Sequence, residues 1–283
     1  MPIVMKGSEV AAAMKEDMVK KVSELKAKGI VPKLAILRVG SRADDLAYEK
    51  GAIKKMVDIG IECEVHELAQ DVGQKDFEAE FNKINSDKSV HGILMFRPLP
   101  KNLDENAVLE VIQPHKDSDC MCNANIAKVF SGDLSGYPPC TAQAVIEMLD
   151  YYKIDLTGKR VTLVGRSMVV GKPLAMLLLK RNATVTMCHT RTKDLAGTCR
   201  GGEILIAAAG KARMITADMV SEGAVVVDVG INVDENGVLC GDVDYDAVEG
   251  KTSYISPVPR GVGSITTSVL AKHVLRGAGA QFN

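Results

Sequence analysis

Short apolar runs alternate with helix-like segments along the chain, and this alternation most restricts the folds it can adopt. In the first half, the strand-like runs "PKLAILRVG", "IECEVHEL" and "VHGILMF" are separated by the helix-like segments "YEKGAIKKMVDIG" and "KDFEAEFNKINSD". Such alternation is typical of βαβ units, in which helices connect parallel strands. We therefore predict an α/β fold with parallel sheets.

A polar stretch containing Gly and Pro, "FSGDLSGYPPCT", interrupts the alternation at residues 130–141. A second series follows, with the uninterrupted apolar runs "RVTLVG", "ATVTMCH", "GEILIAAAG" and "AVVVDVG", as expected when helices cover both faces of a sheet. A length of 283 residues also suggests about two domains. We predict a first lobe of residues 1–139 and a second lobe of residues 140–263, with a closing helix at 264–283 that packs on the first lobe.

The charge balance and the cysteines restrict the partners. With 35 basic and 36 acidic side chains, the net charge of -1 gives no electrostatic reason to expect nucleic acid or an anionic membrane, so a small ligand is favoured. We expect neither an export signal nor a membrane span, and a cytoplasmic protein. Seven cysteines without paired spacing indicate reduced thiols, and Cys120 and Cys122 near His115 lack the further ligands of a metal site, so no metal is predicted.

The segment "VTLVGRSMVVGKPLAMLLLKR" has the layout of a dinucleotide site. It is a strand, a turn with Gly165 and Gly171, and a helix whose first N–H groups could meet a pyrophosphate. The match to G-x-G-x-x-G is imperfect, because Ser167 holds the middle position and the last glycine comes one residue late.

The end of the next strand bears on the choice of cofactor. Roughly 20 residues after the turn, an NAD-selective fold usually places an acidic residue on the ribose hydroxyl. Here "TMCHTRT" offers His189, Thr190 and Arg191, and Arg166 in the turn could join them on a 2′-phosphate. This pattern favours NADP over NAD, although His189 and Arg191 could also be merely solvated residues at a strand end.

Several blocks of sequence together resemble one family. They are "HGILMFRPLP", "PHKDSDC", "PPCT", "VGRSMVVGKPLAMLL", "TVTMCHTRT", "EILIAAAG", "VVVDVGIN", "GDVDY" and "SPVPRGVGSIT". In nearly their usual order and spacing, they are similar to the bifunctional methylenetetrahydrofolate dehydrogenase/cyclohydrolase family. The resemblance implies a folate-binding lobe, a Rossmann-like NADP-binding lobe and, usually, a homodimer. It also implies NADP-dependent oxidation of 5,10-methylenetetrahydrofolate to 5,10-methenyltetrahydrofolate in one-carbon metabolism, followed in bifunctional members by hydrolysis to 10-formyltetrahydrofolate.

Two residues carry the implied chemistry. Asp119 coincides with the family aspartate that holds the pterin, and a carboxylate can accept from both the 2-amino group and the neighbouring ring N–H. Tyr48 coincides with the tyrosine of the family pattern Y-x-x-x-K, near the reacting part of the folate. The alternatives are a loop or capping carboxylate for Asp119, and a core aromatic for Tyr48, because Tyr48, Ala52, Met56 and Ile59 recur at helical spacing.

The resemblance implies further contacts. Glycine at positions 261 and 263 would let the backbone approach the ligands. The implied substrate contacts besides Tyr48 and Asp119 are Ala52, Met95, Phe96, Arg97, Pro259, Gly261 and Gly263. The implied cofactor contacts are Gly165, Arg166, Ser167, His189, Thr190, Arg191, Ile231 and Thr266.

Two departures from the family pattern concern the hydrolysis step. The family lysine falls at Ala52, with the register fixed by Gly60, and the family glutamine falls at Phe96. Smaller departures are Arg260 for a glycine and Ser264 for a proline. Hydride transfer mainly requires orientation, whereas hydrolysis needs an acid/base group that usually contributes ~10² to 10⁴ in rate. We therefore predict a competent dehydrogenase and a weak or absent cyclohydrolase.

Alternatives remain open from the sequence. Lys55 is the lysine nearest to Tyr48 in helical angle, but it lies two turns away, about 10 Å along the axis. A non-catalytic folate- and NADP-binding paralogue would keep the binding residues, and a dehydrogenase acting on another small substrate would need only the second lobe. An assay for NADP reduction alongside folate binding separates these possibilities.

Overall fold

The computed structural model describes residues 1–280 and confirms the α/β class with parallel sheets. The strands are β1 (Ile3–Val4), β2 (Lys33–Val39), β3 (Glu62–Leu68), β4 (Gly92–Met95), β5 (Arg160–Val164), β6 (Thr184–Cys188), β7 (Ile204–Ala207), β8 (Ala224–Asp228), β9 (Asn232–Val233), β10 (Leu239–Cys240) and β11 (Thr252–Ile255). The α-helices are α1 (Gly7–Ala27), α2 (Ala43–Ile59), α3 (Gln74–Ser86), α4 (Asn106–Leu109), α5 (Asn123–Ser131), α6 (Cys140–Tyr151), α7 (Gly171–Lys180), α8 (Leu195–Arg200), α9 (Tyr245–Val248) and α10 (Thr266–Ala280).

The chain forms two compact units. The six-stranded unit, named for its main sheet, comprises Met1–Ala12, Phe130–Gly132 and Thr141–Thr266. The three-stranded unit comprises Ala13–Val129, Asp133–Cys140 and, among the described residues, 267–280.

The three-stranded unit is built on a parallel sheet with the order β3-β2-β4. Strand β2 is buried along nearly its whole length because its sequence, KLAILRV, is an apolar run. Phe77 and Phe81 lie one turn apart on α3, and both are fully buried in a core cluster with Leu37 and Met95. This spacing gives α3 a single apolar stripe that packs on the sheet.

The six-stranded unit contains a parallel sheet with the order β1-β11-β8-β7-β5-β6. Its central strands β7 and β8 are buried at every residue. The neighbour of β5 changes from β6 on one side to β7 on the other, so the chain crosses over at β5. In parallel sheets, ligands bind at the carboxyl ends of the strands near such a switch point.

The units differ from the predicted lobes at the N-terminus. Ile3 pairs with Tyr254 and Val4 with Ile255, so Met1–Ala12 belong to the six-stranded unit and not to a lobe of residues 1–139. A strand of two residues carries no periodicity, so its distant partner cannot be seen in the sequence.

Two further observations concern the cysteines and the length of the helices. All seven cysteines are free thiols. Between residues 1 and 280, no helix is long and apolar enough to cross a membrane.

Candidate functional site

The turn between β5 and α7 requires glycine at two positions. Gly165 has φ +132°, and a Cβ there would lie less than 3.0 Å from the carbonyl oxygen of Ala208. A Cβ on Gly171 would come equally close to the carbonyl of Gly165. The departure from G-x-G-x-x-G therefore still yields a tight turn, because the chain packs against itself at the start of a ten-residue helix. The first N–H groups of α7 are used within the turn itself, because that of Gly171 points to Ser167 Oγ and that of Lys172 to the carbonyl of Ser167.

Ser167 has a local role in this turn. Its Oγ accepts the N–H of Val170 at 3.1 Å and that of Gly171 at 3.3 Å. The hydroxyl hydrogen remains available as a donor, since a serine hydroxyl carries one donor and two acceptor lone pairs. Ser167 can thus shape the turn and still bind a phosphate oxygen.

The turn after β6 supplies a second group of predicted cofactor residues. His189 donates its N–H to Thr192 Oγ1 at 2.9 Å, and its Nδ1 accepts the N–H of Arg191 at 3.1 Å. His189 is therefore engaged in forming the turn, whereas Thr190 and Arg191 are exposed.

Parallel pairing of β5 with β6 places these two turns at the same edge of the sheet. Val164 pairs with Cys188, so Arg166 follows β5 by two residues and Arg191 follows β6 by three. Both guanidinium groups are exposed, and neither forms an ion pair within the part of the chain that the structure describes. Two arginines without an acidic partner beside this turn suit a group with additional negative charge.

Two buried aspartates that sequence reasoning missed hold the loops at this edge. Asp242 accepts the N–H groups of Ala209 at 2.6 Å, Gly210 at 3.0 Å and Lys211 at 2.8 Å. It thereby fixes the loop after β7. The signal in the sequence was the "GDVDY" block, which the resemblance noted without giving its aspartates a role.

Asp228 joins the loop after β8 to the segment that follows β10. Its carboxylate accepts the N–H groups of Gly230, Asp242 and Val243 at 2.9 to 3.0 Å. Burial raises the pKa of Asp228 to about 6 despite these hydrogen bonds, so its ionised form depends on them. The two aspartates make the edge of the sheet a fixed framework.

Ile231, Gly263 and Thr266 lie together beside these loops. Ile231 is 68% exposed, and a Cβ on Gly263 would be 3.7 Å from its Cδ1. Thr266 begins α10 and donates its hydroxyl to the carbonyl of Gly263 at 3.1 Å. An exposed aliphatic side chain next to a glycine offers an apolar surface for a planar ring.

The preceding loop is tightly packed. A Cβ on Gly261 would lie less than 3.0 Å from the carbonyl of Pro257, and Pro259 follows a cis peptide bond. Arg260, where the family pattern has glycine, has φ +77°, and its carbonyl accepts the N–H of Gly7 at 2.9 Å. Glycine is the residue that adopts this conformation without strain.

In the three-stranded unit, Tyr48 meets Phe96. Tyr48 is half-buried on α2, and its ring stands edge-on to that of Phe96 with centroids 6.0 Å apart. Ala52 lies one turn further along α2 and has no exposed surface. Gly60 ends the helix with φ +94°, a left-handed conformation that favours glycine.

None of the nearby lysines takes the place of the family lysine. Lys50 and Lys54 are exposed, and burial lowers the pKa of the half-buried Lys55.

Met95 and Arg97 flank Phe96. Met95 is buried at the end of β4. The carbonyl of Arg97 accepts a hydrogen bond from Arg42 Nη2 at 3.3 Å. The Nη1 atom of Arg97 lies 3.8 Å from Glu105 Oε1.

Asp119 differs clearly from its neighbour Asp117. Asp117 is fully buried and accepts the N–H groups of Met121 and Cys122 and the side-chain amide of Asn125. Asp119 is half-buried, and its Oδ1 accepts the N–H of Cys140 at 2.8 Å. The side chain of Cys140 also interacts with this carboxylate, and burial raises the pKa of Asp119. A carboxylate has about four lone-pair sites, so acceptor capacity remains. Asp117 is thus structural, while Asp119 keeps an open acceptor for a ligand.

Metal-ligating side chains do not cluster in the described residues. Within 1–280, no three His, Cys, Asp or Glu side chains are arranged to hold a metal ion.

Two family models match the chain. The catalytic-domain model of tetrahydrofolate dehydrogenase/cyclohydrolase matches residues 5–119, and the NAD(P)-binding-domain model of the same family matches residues 139–282.

Named relatives and solved structures agree with these models. The chain is 54% identical to the bifunctional protein FolD of Clostridioides difficile, over 99% of this chain and 98% of the relative. The crystal structure of bifunctional FolD from Campylobacter jejuni superposes with a TM-score of 0.96 at 39% identity, covering 99% of both chains. FolD of Trypanosoma brucei, solved with NADP and an inhibitor, gives a TM-score of 0.93 at 33% identity, over 100% of this chain and 99% of the other.

Proposed function

The chain belongs to the tetrahydrofolate dehydrogenase/cyclohydrolase family, and on that basis we propose that it oxidises 5,10-methylenetetrahydrofolate to 5,10-methenyltetrahydrofolate with NADP. The observation that carries this proposal is the turn of residues 165–171. Its two glycines let the chain turn closely on itself between β5 and α7, the strand–turn–helix layout in which dinucleotide sites hold a pyrophosphate.

The residues present also suit the extra phosphate of NADP. Arg166 and Arg191 have no acidic partner within the described residues and follow adjacent strands. They would bind the 2′-phosphate, with Thr190 as a further donor, and Ile231 and Gly263 would line the nicotinamide ring. NADP, when bound, accepts a hydride from the substrate.

Hydride loss makes modest demands on the protein. The carbon that loses the hydride is flanked by two nitrogens whose lone pairs stabilise the resulting cation, so no side chain must remove a proton from it. Orientation of the substrate against the cofactor is then the main requirement, and correct placement can lower the reaction barrier by up to roughly 7 to 11 kcal/mol in favourable models. We propose that Asp119 fixes the pterin through its carboxylate and that Tyr48 borders the reacting part of the substrate.

The hydrolysis step lacks its expected acid/base groups. Relatives of this chain are named bifunctional, and the proposal of weak or absent cyclohydrolase activity concerns the residues of this chain alone. Ala52 stands where the family pattern has lysine, and Phe96, packed against Tyr48, stands where it has glutamine. An alanine methyl and a phenyl ring can neither donate nor accept a proton.

One coupled assay tests both parts. The purified protein is given 5,10-methylenetetrahydrofolate with NADP⁺ or NAD⁺, and formation and decay of the methenyl product are followed separately. We expect rapid formation with NADP⁺, slower formation with NAD⁺, and decay close to the uncatalysed rate. Folate binding without reduction of either cofactor would overturn the dehydrogenase proposal in favour of a non-catalytic paralogue. Fast enzymatic decay would overturn the cyclohydrolase proposal alone.

The cytoplasmic location and the homodimer stay predictions. Sedimentation of the purified protein measures the second directly.

A further inference from the structure

A buried histidine contacts the backbone next to Asp119. His273, on α10, is only 4% exposed, and its Nδ1 lies 2.8 Å from the carbonyl oxygen of Ser118. Ser118 immediately precedes Asp119, and all three residues belong to the three-stranded unit. Neither the family resemblance nor the proposed mechanism gives this histidine a task.

The chemistry of the two atoms sets the direction of the hydrogen bond. A carbonyl oxygen can only accept, so Nδ1 carries the hydrogen and donates. Burial lowers the pKa of His273 to about 4, and the ring is therefore neutral at pH 7. The imidazole is thus a fixed donor and not a charge that could repel a ligand.

Cys140 joins the same carbonyl to the carboxylate. Its N–H donates to Asp119 Oδ1 at 2.8 Å, and its Sγ donates to the carbonyl of Ser118 at 3.3 Å. Its Sγ also lies 3.9 Å from Nδ1 of His273. Asp119 is therefore held at its own side chain by Cys140 and at its preceding peptide group by His273 and Cys140.

The histidine ring is itself held in place. Tyr137 stands edge-on to it with ring centroids 5.4 Å apart, and the guanidinium of Arg276 lies 4.2 Å from the centre of the Tyr137 ring. Arg276 also donates to the carbonyls of Gly136 and Leu134. This network ties α10 to the segment that ends at Cys140.

We propose that His273 is a positioning residue for Asp119, which it orients by fixing the peptide group between Ser118 and Asp119 so that the carboxylate remains directed at the pterin. The inference rests on the proposed function, because it assumes that Asp119 binds the substrate. Rotation of that peptide group turns the backbone of Asp119 and displaces its carboxylate. A donor at the Nδ1 position is therefore what the site requires.

A pair of matched variants tests this requirement. In His273→Asn, the side-chain amide nitrogen can occupy the place of Nδ1, whereas in His273→Gln it reaches the place of Nε2. We expect the KM for methylenetetrahydrofolate to rise about tenfold in His273→Gln and to stay within about threefold of wild type in His273→Asn. The KM for NADP should stay within about twofold in both variants, since the network contains no predicted cofactor contact.

A second measurement separates positioning from general destabilisation. In an Asp119→Ala background, His273→Gln should produce no further rise in the folate KM, because the carboxylate it positions is gone. Equal effects of the Asn and Gln variants, a parallel rise in the NADP KM, or full additivity with Asp119→Ala would each overturn the inference.

The control for the underlying assumption is the wild type and Asp119→Ala alone. If wild type does not turn over methylenetetrahydrofolate, the proposed function fails. If wild type is active and Asp119→Ala reduces folate binding, but His273→Gln does not, only the positioning inference fails.

Discussion

Restoring the two missing polar groups should restore hydrolysis. The double variant Ala52→Lys/Phe96→Gln places an amine one helical turn from Tyr48 and removes the ring that now packs against that tyrosine at a centroid distance of 6.0 Å. A positioned acid/base group contributes ~10² to 10⁴ in rate, equivalent to about 3 to 5 kcal/mol of barrier. We expect methenyltetrahydrofolate hydrolysis to rise by a factor in that range over wild type.

The same two substitutions should also lower the free energy of unfolding. Ala52 has no exposed surface, so a longer side chain there overpacks the core at a cost of about 1 to 3 kcal/mol. Loss of the Tyr48–Phe96 contact removes about 0.5 to 1.5 kcal/mol. Both substitutions adjoin Tyr48, so their effects should not add, and we expect Phe96→Gln to relieve part of the overpacking.

The assay follows the decay of methenyltetrahydrofolate without cofactor, beside the dehydrogenase rate and urea unfolding of each variant. Ala52→Met with Phe96→Gln is the matched control, because methionine has nearly the length of lysine but no amine. A gain in the lysine variant that is absent from the methionine variant supports the reasoning. A folded double variant that still oxidises methylenetetrahydrofolate but gains no hydrolysis would refute it.

Three further predictions concern single groups. Asp119→Asn should raise the folate KM by roughly 10- to 100-fold and leave the NADP KM nearly unchanged, because a hydrogen bond to a charged group contributes about 1.5 to 3 kcal/mol; steady-state kinetics with each substrate varied in turn checks this, and an unchanged folate KM would contradict it. Arg166→Gln and Arg191→Gln should each raise the KM for NADP several-fold and leave that for NAD unaffected, as the cofactor-dependent rates will show; equal losses with both cofactors would mean that neither arginine binds the 2′-phosphate. His273 has a folded pKa of about 4, below its ordinary 6.5, so its contribution to stability is present above pH 6.5 and is lost as the pH falls toward 4. In urea unfolding, the free energy of unfolding of the wild type should fall by about 3 kcal/mol more than that of His273→Asn over this pH interval. Parallel pH profiles for the two proteins would contradict the depressed pKa.

The sequence predicted the elements that carry a strong local pattern. The alternation of strand-like and helix-like segments predicted β2 to β4 and β5 to β8. Continuous apolar runs mark the buried strands β2, β7 and β8, whereas β3 has no buried residue. The alternation could not give the pairing of β1 with β11, since a two-residue strand has no pattern and its partner lies far along the chain.

For the site, it was easier to predict which residues take part than what each of them does. Gly165 and Gly171 were predicted from the glycine spacing of the turn, but Ser167 and His189 also form turns that spacing does not reveal. Asp228 and Asp242 were missed as framework residues, because their donors are backbone N–H groups, which every residue carries.

The two buried aspartates have a consequence for how a ligand would bind. Loops after parallel strands are commonly mobile, and a ligand that must order them loses part of its affinity to that ordering. Here Asp242 already accepts three N–H groups of the loop after β7, and Asp228 accepts one from the loop after β8 and two from the segment after β10. These two carboxylates already hold the loops in the folded protein. The affinity for cofactor is then set by direct contacts, and cofactor binding should proceed in one step, without a slow rearrangement of these loops.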